Sequence, residues 1–426
     1  MEREIRSEVI VVGAGMIGAT LGIALASAGV RVTIIDRLAV DTMTAGPYDG
    51  RTTAIASAAR RALDALGVWP MLAADAAAID DIRISDGRLE PGAPEARTSL
   101  LHLHFDHREL VEGRDPAQPM GHIVENRFIR RALFQRLAEM PTATFLAPAE
   151  TAAITRDDAT ATVALADGRV LRAPLLVSAE GKAGALREQA GIGALQWRYE
   201  QIAIVCVAEH EQPHRGVAHE KFLPGGPFAI LPMIDDPQTG AHRSSIVWSE
   251  RADLVPSLLK LDAESFTREF AQRFGSHLGA VRPVGPRYHY PLSLMHAERY
   301  IGQRLALVGD AAHAIHPIAG QGWNLGLRDV VALAEVVVDA KRLGLDIGGT
   351  STLEAYERWR RVDNLALVAA TDALNRLFSN DLPPVRLARD LGLAAVNRLP
   401  PLRRFFMRHA MGAVGDQPRL TRGLPL

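Results

Sequence analysis

Residues 304–329 read Arg304-Leu-Ala-Leu-Val-Gly-Asp-Ala-Ala-His-Ala-Ile-His-Pro-Ile-Ala-Gly-Gln-Gly-Trp-Asn-Leu-Gly-Leu-Arg-Asp329. An apolar run ends at Gly309-Asp310, and a turn of small residues then opens a long helix. Asp310 stands where the last carboxylate of a strand can accept hydrogen bonds from a sugar hydroxyl. Gly320 and Gly322 leave the first backbone N–H groups of the helix uncovered, and a helix start with unsatisfied donors favours bound negative charge. The stretch is read as a cofactor cradle.

The other end of the chain carries a second signal. Val9-Ile-Val-Val12 is a short apolar run without alternation, as in a buried parallel strand. Gly13-Ala-Gly15-Met-Ile-Gly18 follows and enters a helix of small and apolar residues, and a second strand over residues 30–35 closes on Asp36. In this frame Gly13 permits a tight turn, Gly15 lets the backbone approach a pyrophosphate, and Gly18 lets helix and strand pack closely. Asp36 falls where an acid holds an adenosine ribose. The pattern predicts dinucleotide binding; glycines that merely tighten a strand-to-helix turn are the alternative.

The 426 residues exceed one ordinary domain and 48% of them are apolar, which predicts two closely packed domains with sizeable cores. A net charge of −1 leaves no footprint for a nucleic-acid partner. Cys206, the only cysteine, lies in an apolar run; no disulfide can form within the chain, and a small buried hydrophobe is expected. The first eight residues carry charges of both signs, unlike a signal peptide, and no apolar stretch approaches the roughly 20 residues of a membrane span. A reducing, cytoplasmic setting is expected.

Between these ends the sequence predicts a loop at 45–50, a helix ending at Leu66 before Gly67, and a helix over 126–138. A hairpin turning at Asp167-Gly168 and another buried-type strand at 175–179 follow. Residues 197–290, rich in Ile, Val, Phe and Tyr and cut by Pro and Gly, read as an antiparallel sheet, and helices dominate after Leu353. The expected fold is α/β: a discontinuous Rossmann-like domain from residues 1–75, 110–190 and 290–350, an interleaved antiparallel-sheet substrate domain from 76–109 and 191–289, and a helical region at 351–426.

Four segments together resemble the class A flavoprotein monooxygenases: residues 13–36, Asp49-Gly-Arg51, Ala179-Glu-Gly-Lys-Ala-Gly-Ala-Leu-Arg187 and residues 309–329. Gly309-Asp-Ala-Ala-His313, His316-Pro317, Ala319-Gly-Gln-Gly322, Asn324-Leu-Gly-Leu-Arg-Asp329, Val124-Glu-Asn126, Gly226-Pro-Phe-Ala-Ile-Leu-Pro232 and Phe405-Phe-Met-Arg-His-Ala-Met-Gly412 resemble the ubiquinone-biosynthesis hydroxylase branch, over nearly the whole chain. The resemblance implies a para-hydroxybenzoate hydroxylase-like fold, FAD as resident cofactor and NADH or NADPH as transient reductant. It implies that Gly13, Gly15, Gly18, Asp36, Arg37, Gly309 and Asp310 surround FAD. Pro317, Gly320, Gln321, Gly322 and Asn324 would lie along the isoalloxazine, where N–H groups stabilise negative charge on the reduced ring. Arg51, Asn126 and Arg127 are further cofactor candidates, with a loop salt bridge as the plain alternative for Arg51 and a solvated helix start for Arg127. The family usually has Asp-Gly with a serine three residues later, whereas this chain has Glu180-Gly181 and Gly184. Glu180 keeps a carboxylate one methylene further out, and a cofactor contact in altered geometry is expected there.

The implied reaction passes a hydride from NAD(P)H to FAD, adds O2 to the reduced flavin, and transfers one oxygen atom from a flavin hydroperoxide to the ring of a polyprenyl phenol in ubiquinone biosynthesis. No catalytic triad or metal is required, because the cofactor carries the hard step. The protein must hold the ring and exclude water, and Phe222, Phe228 and Ile230 are expected to form the apolar wall. His313 and His316 are spaced to share a helix face, with structural hydrogen bonding preferred over metal or acid–base roles. From residue 382 to 412, Arg386, Arg389, Arg398, Arg403, Arg404 and Arg408 oppose only Asp390 and are interleaved with Leu402, Phe405, Phe406 and Met411. Such a basic amphipathic surface suits peripheral contact with the inner face of a membrane or with a biosynthetic complex, against plain packing on the parent domain. A hydroxylase of a small soluble aromatic and a non-catalytic flavin-binding scaffold are the competing functions.

Overall fold

The computed structural model describes residues 4–44, 49–90, 92–110, 118–378, 392, 394–412 and 415–426. Most of the loop expected at 45–50, and Arg386, Arg389 and Asp390, lie outside the described residues.

Two sheets organise the chain. The first has six strands in the order Ile301–Gly302, Leu305–Leu307, Leu175–Ser178, Val9–Val12, Val32–Ile35 and Ala143–Leu146, parallel throughout except at the first pair. The central strands are buried at every residue, which is why their sequences show no alternation: a strand covered on both faces has no wet side. The helix Met16–Ser27 is buried continuously from Gly18 to Ala26, because it packs between this sheet and the helix Gly322–Arg342. Strands from the start, middle and far end of the chain meet here, so the cleft at their C-terminal ends joins residues about 300 positions apart in sequence.

The second sheet has eight strands in the order His313–Ala314, Val281–Ala297, Ala194–His210, His242–Arg251, Gly226–Pro232, Val217–Leu223, Asp81–Arg88 and Arg97–Asp106. It is antiparallel except where Val217–Leu223 runs parallel to Asp81–Arg88, the pairing that stitches two separate chain segments into one surface. Val281–Ala297 runs through residue 290, the boundary drawn from sequence, and its end pairs with His313–Ala314 just before the second glycine turn. One face of this sheet packs Phe228, Ile230, Ile246 and Trp248 against Phe266, Phe270 and Phe274 of the helix Ala263–Phe274. The other face is turned to the site. A three-stranded sheet of Thr52–Ala56, Gly121–Glu125 and Ala77–Ile79 bridges the two, and the expected hairpin at Asp167-Gly168 lies in a peripheral four-stranded sheet. Cys206 is buried and desolvation pushes its thiol up to about 12, as its apolar setting predicts.

Candidate active site

Gly13 holds a φ of +101°, and a Cβ there would stand 2.6 Å from the Ala179 carbonyl oxygen; at Gly18 it would stand 1.8 Å from the Gly13 carbonyl oxygen. Those two positions are glycine because the protein itself crowds them. At Gly15 and Gly322, by contrast, a Cβ would meet no protein atom within 4 Å. Nothing in the fold requires glycine at these two positions, and the uncovered backbone leaves room for a ligand to approach closely. The two glycine turns are joined through Ile17: Cβ atoms at Gly309 and Gly326 would lie 3.1 and 2.8 Å from its side chain.

Asp36 accepts from the Ala14 N–H at 2.7 Å and the Leu38 N–H at 2.9 Å, which fixes its carboxylate at the end of the strand, while Arg37 beside it is exposed. Asp310 is open to the cleft yet ringed by protein. Desolvation pushes its carboxyl above the usual range, against the pull of His313, Lys182 and Arg51, and no hydrogen bond to it is formed by the described residues. An enclosed carboxylate of this kind fits the hydroxyl donors of a ribityl chain. With the uncovered backbone at Gly15 and Gly322, the residues present fit FAD.

Behind Asp310 lies a network that sequence reading did not foresee. Asp329, fully buried, accepts from Gly309 N at 3.0 Å, His313 Nε2 at 2.5 Å, Arg360 Nε at 3.1 Å and Asn364 Nδ2 at 3.0 Å. Desolvation alone would raise its carboxyl, but His313, Arg360 and Asn364 together hold it below the ordinary value. The network ties the helix Thr350–Phe378 to the backbone N–H of Gly309 and so sets the direction of Asp310. His313 therefore bonds structurally. It does not share a helix face with His316, because His313 belongs to a two-residue strand and the chain turns at Pro317. His316 is wholly buried, stands edge-on to Tyr199 at 5.1 Å, and has neither ring nitrogen bonded; burial pushes it down to about 4, so it is neutral.

The remaining candidates turn towards the protein. Asn324 accepts from Ala56 N at 3.0 Å and donates to the carbonyls of Ala54 at 2.7 Å and Gly320 at 3.2 Å. Both its amide hydrogens are used within the chain, so its side chain positions the turn. Asn126 is buried and accepts from Thr53 Oγ1 at 2.7 Å. Arg127 lies 2.7 Å from the buried Glu125 carboxylate. Arg51 pairs with Asp49 at 2.5 Å above the Tyr290 ring, the salt-bridge alternative, at the rim of the cleft. Glu180 accepts from Ser178 Oγ at 3.1 Å and Leu186 N at 3.2 Å, and a Cβ at Gly184 would fall 2.6 Å from its own Cβ. The two departures from the family pattern touch each other: a side chain at 184 would crowd Glu180.

Past the second turn opens a cavity of 690 Å³, with Pro317, Gly320 and Gln321 on one side and Ile82, Leu103 and Leu231 on the other. Phe222 belongs to this wall, stacked on Phe378 at 3.9 Å. Phe228 and Ile230 do not. Side chains alternate along a strand, so Pro227, Ala229 and Leu231 face the cavity while Phe228 and Ile230 fill the aromatic core on the opposite face. The same alternation puts Glu220, between Ala218 and Phe222, into the cavity, a placement legible only once the register of Val217–Leu223 is known.

Two linked glycine turns that fit a flavin, opening onto an oily chamber, point to an FAD-dependent monooxygenase. The sequence comparisons agree: the FAD binding domain family matches residues 6–370. The ubiquinone hydroxylase UbiL of Rhodospirillum rubrum is 52% identical over 423 residues, covering 99% of this chain and 94% of that protein. The 3-demethoxyubiquinol 3-hydroxylase of Escherichia coli is 35% identical over 408 residues, covering 95% and 98%. The chain belongs to the ubiquinone-biosynthesis hydroxylases within the FAD binding domain family. In fold it is similar to the p-nitrophenol 4-monooxygenase PnpA of Pseudomonas putida DLL-E4, with a TM-score of 0.76 at 18% identity, covering 98% of this chain and 100% of that one.

Proposed function

We propose that this protein hydroxylates the ring of a polyprenyl phenol in ubiquinone biosynthesis, with NADH or NADPH as electron donor and O2 as the source of the oxygen atom. FAD, when bound, supplies the electron relay and the oxygen activation. The chain supplies the rest: Gly13, Gly15, Gly322, Asp36 and Asp310 hold the cofactor, and the cavity walls keep water from the reacting ring. The observation that carries this reading is the cavity itself, which starts at the turn 317–322, is lined almost wholly by aliphatic and aromatic side chains, and reaches the C-terminal helices at Phe378 and Phe406. A ring with an attached prenyl chain matches that depth and oiliness; a small soluble phenol would leave much of it unfilled. Quinone profiling of cells lacking the protein tests the proposal. A prenylated phenol one oxygen short of the next intermediate is expected to accumulate, and an unchanged quinone profile would contradict it. Substrate-stimulated NAD(P)H oxidation by the FAD-loaded protein separates an enzyme from a flavin-binding scaffold.

A peripheral membrane contact accompanies this reading. On the helix Pro400–Ala410, Met407 packs inward beside Phe222 and Phe378, whereas Leu402, Phe405 and Phe406 are exposed with Arg404 and Arg408 nearby. No helix among the described residues is long and apolar enough to cross a membrane. Phe406 both faces outward and lines the cavity, which puts the apolar surface at the door a prenylated substrate would use. Flotation with vesicles containing phosphatidylglycerol checks this: a variant with Leu402, Phe405 and Phe406 changed to Ser should stay at the bottom of the gradient. Equal flotation of both proteins rules the contact out.

A further inference from the structure

We propose that Glu220 is the polar anchor of the substrate, hydrogen-bonding a ring hydroxyl inside the cavity. This rests on the reading of the substrate as an apolar phenol. The row of the sheet that crosses the cavity runs Leu103, Ile84, Glu220, Ala229, Val247, each paired with the next. All five line the cavity, so one carboxyl stands among four aliphatic side chains, with Ala218 and Phe222 before and after it on the same face.

No described residue satisfies that carboxyl. The cationic neighbour in sequence, Lys221, points to the opposite face and donates to the Phe274 carbonyl at 2.5 Å. The His219 ring also turns away, lying 4.4 Å from the His277 ring. Among the described residues, the elements packed around Glu220 turn Ile82, Ile84, Leu103, Phe105, Val247 and Phe378 towards the cavity; of the titratable groups on these strands, His219 also borders the cavity and Asp86 stands opposite Phe222. Desolvation, acting alone, pushes the Glu220 carboxyl up to about 7. Such a group adds nothing to the packing of the sheet, where any aliphatic residue would serve better. It does provide what an oily ligand with one polar spot requires: a single acceptor at one place on an otherwise apolar wall. A phenolic O–H held there fixes which ring carbon faces the turn 317–322, and its hydrogen bond to the ionised carboxyl draws electron density towards the ring oxygen, which favours attack by the ring on an electrophilic oxygen.

The test uses the FAD-loaded protein, a short-chain prenyl phenol and its O-methyl ether, with binding followed through the flavin absorbance. The wild type should prefer the phenol. Glu220→Leu should weaken phenol binding about tenfold or more and leave ether binding unchanged, while Glu220→Gln, whose amide oxygen still accepts, should retain most of the preference. Phenol affinity of the wild type should rise as pH rises through about 7, since the ionised carboxyl is the stronger acceptor, and that of Glu220→Gln should not. A phenol-to-ether ratio in Glu220→Leu equal to that of the wild type overturns the anchor. If Glu220→Leu fails to fold, a pH-independent wild-type affinity overturns it equally. Hydroxylation by wild type and Glu220→Leu alike would remove the anchor and keep the functional reading; Glu220-dependent binding without any hydroxylation would do the reverse.

Discussion

Asp329 and Glu220 are both carboxylates withdrawn from bulk water, one on each side of the turn 317–322, and the fold treats them in opposite ways. Asp329 has four donors and is held ionised; Glu220 has none and is pushed to about 7. Around Asp329 the polar valences are closed by the protein before any ligand arrives, which gives a rigid frame behind the open Asp310 carboxyl. On the substrate side one valence is left open in an apolar wall, which gives selectivity at some expense of stability. A buried carboxylate is thus a structural element when its partners are supplied and a recognition element when they are withheld.

The contrast breaks first at Asp329. Asp329→Ala leaves Arg360 and His313 without their counter-charge and Gly309 without its acceptor, and should cost about 3–5 kcal/mol in denaturant unfolding together with most of the bound FAD. An unchanged midpoint would mean the network is decoration. The two kinds of glycine come next. Gly18→Ala should destabilise the apoprotein by about 1–3 kcal/mol because its methyl would collide with Gly13. Gly15→Ala should leave apoprotein stability within about 0.5 kcal/mol while lowering FAD affinity, since no protein atom lies within 4 Å of the added methyl. Equal destabilisation by both would make Gly15 a packing residue.

Glu220 gives a smaller effect with a defined sign. Its folded value of about 7 lies above the ordinary value of 4.5, so the folded protein binds the proton more tightly, and the stability this group contributes is present below the ordinary value and is lost as pH rises towards 7. Glu220→Gln should therefore melt above the wild type at pH 8, with the difference vanishing near pH 4; a difference independent of pH would show that Glu220 has a partner. Smallest is the pair at the middle motif: Gly184→Ser should cost about 1 kcal/mol in denaturant unfolding because its Cβ would crowd the Glu180 Cβ, and nearly as much in Glu180→Asp, which keeps that Cβ; an unchanged midpoint would deny the contact.

This contrast also explains what could be read from the sequence. The cofactor side is written in local patterns: a glycine turn after an apolar run, with its neighbours adjacent in the chain, so the turns within 13–36 and 309–322 stand out in the sequence, whereas the partners of Arg51, Asn126, Arg127, Asn324 and Glu180 needed the structure. The helix at 126–138 was legible for the same reason. The substrate side is written across strands. Which of Phe228, Ala229 and Ile230 faces the cavity depends on pairing with Val217–Leu223 and His242–Arg251, and a shift of one residue would exchange wall for core. Phe228, its cross-strand partner Trp248 and Ile230 are the better hydrophobes and fill the core, while smaller Ala229 and Ala218 leave room for a ligand. Asp329 was visible in its motif, but its partners Arg360 and Asn364 lie on another helix, about thirty residues on, with no local signature.

In the proposed reaction one substrate ring meets one flavin at the turn 317–322. Incubating the purified, FAD-loaded protein with NADH or NADPH, a short-chain prenyl phenol and 18O-labelled O2 tests it most directly. The predicted result is a hydroxylated ring carrying one labelled oxygen atom per product; NAD(P)H consumption that yields only peroxide, or a product without label, would contradict it.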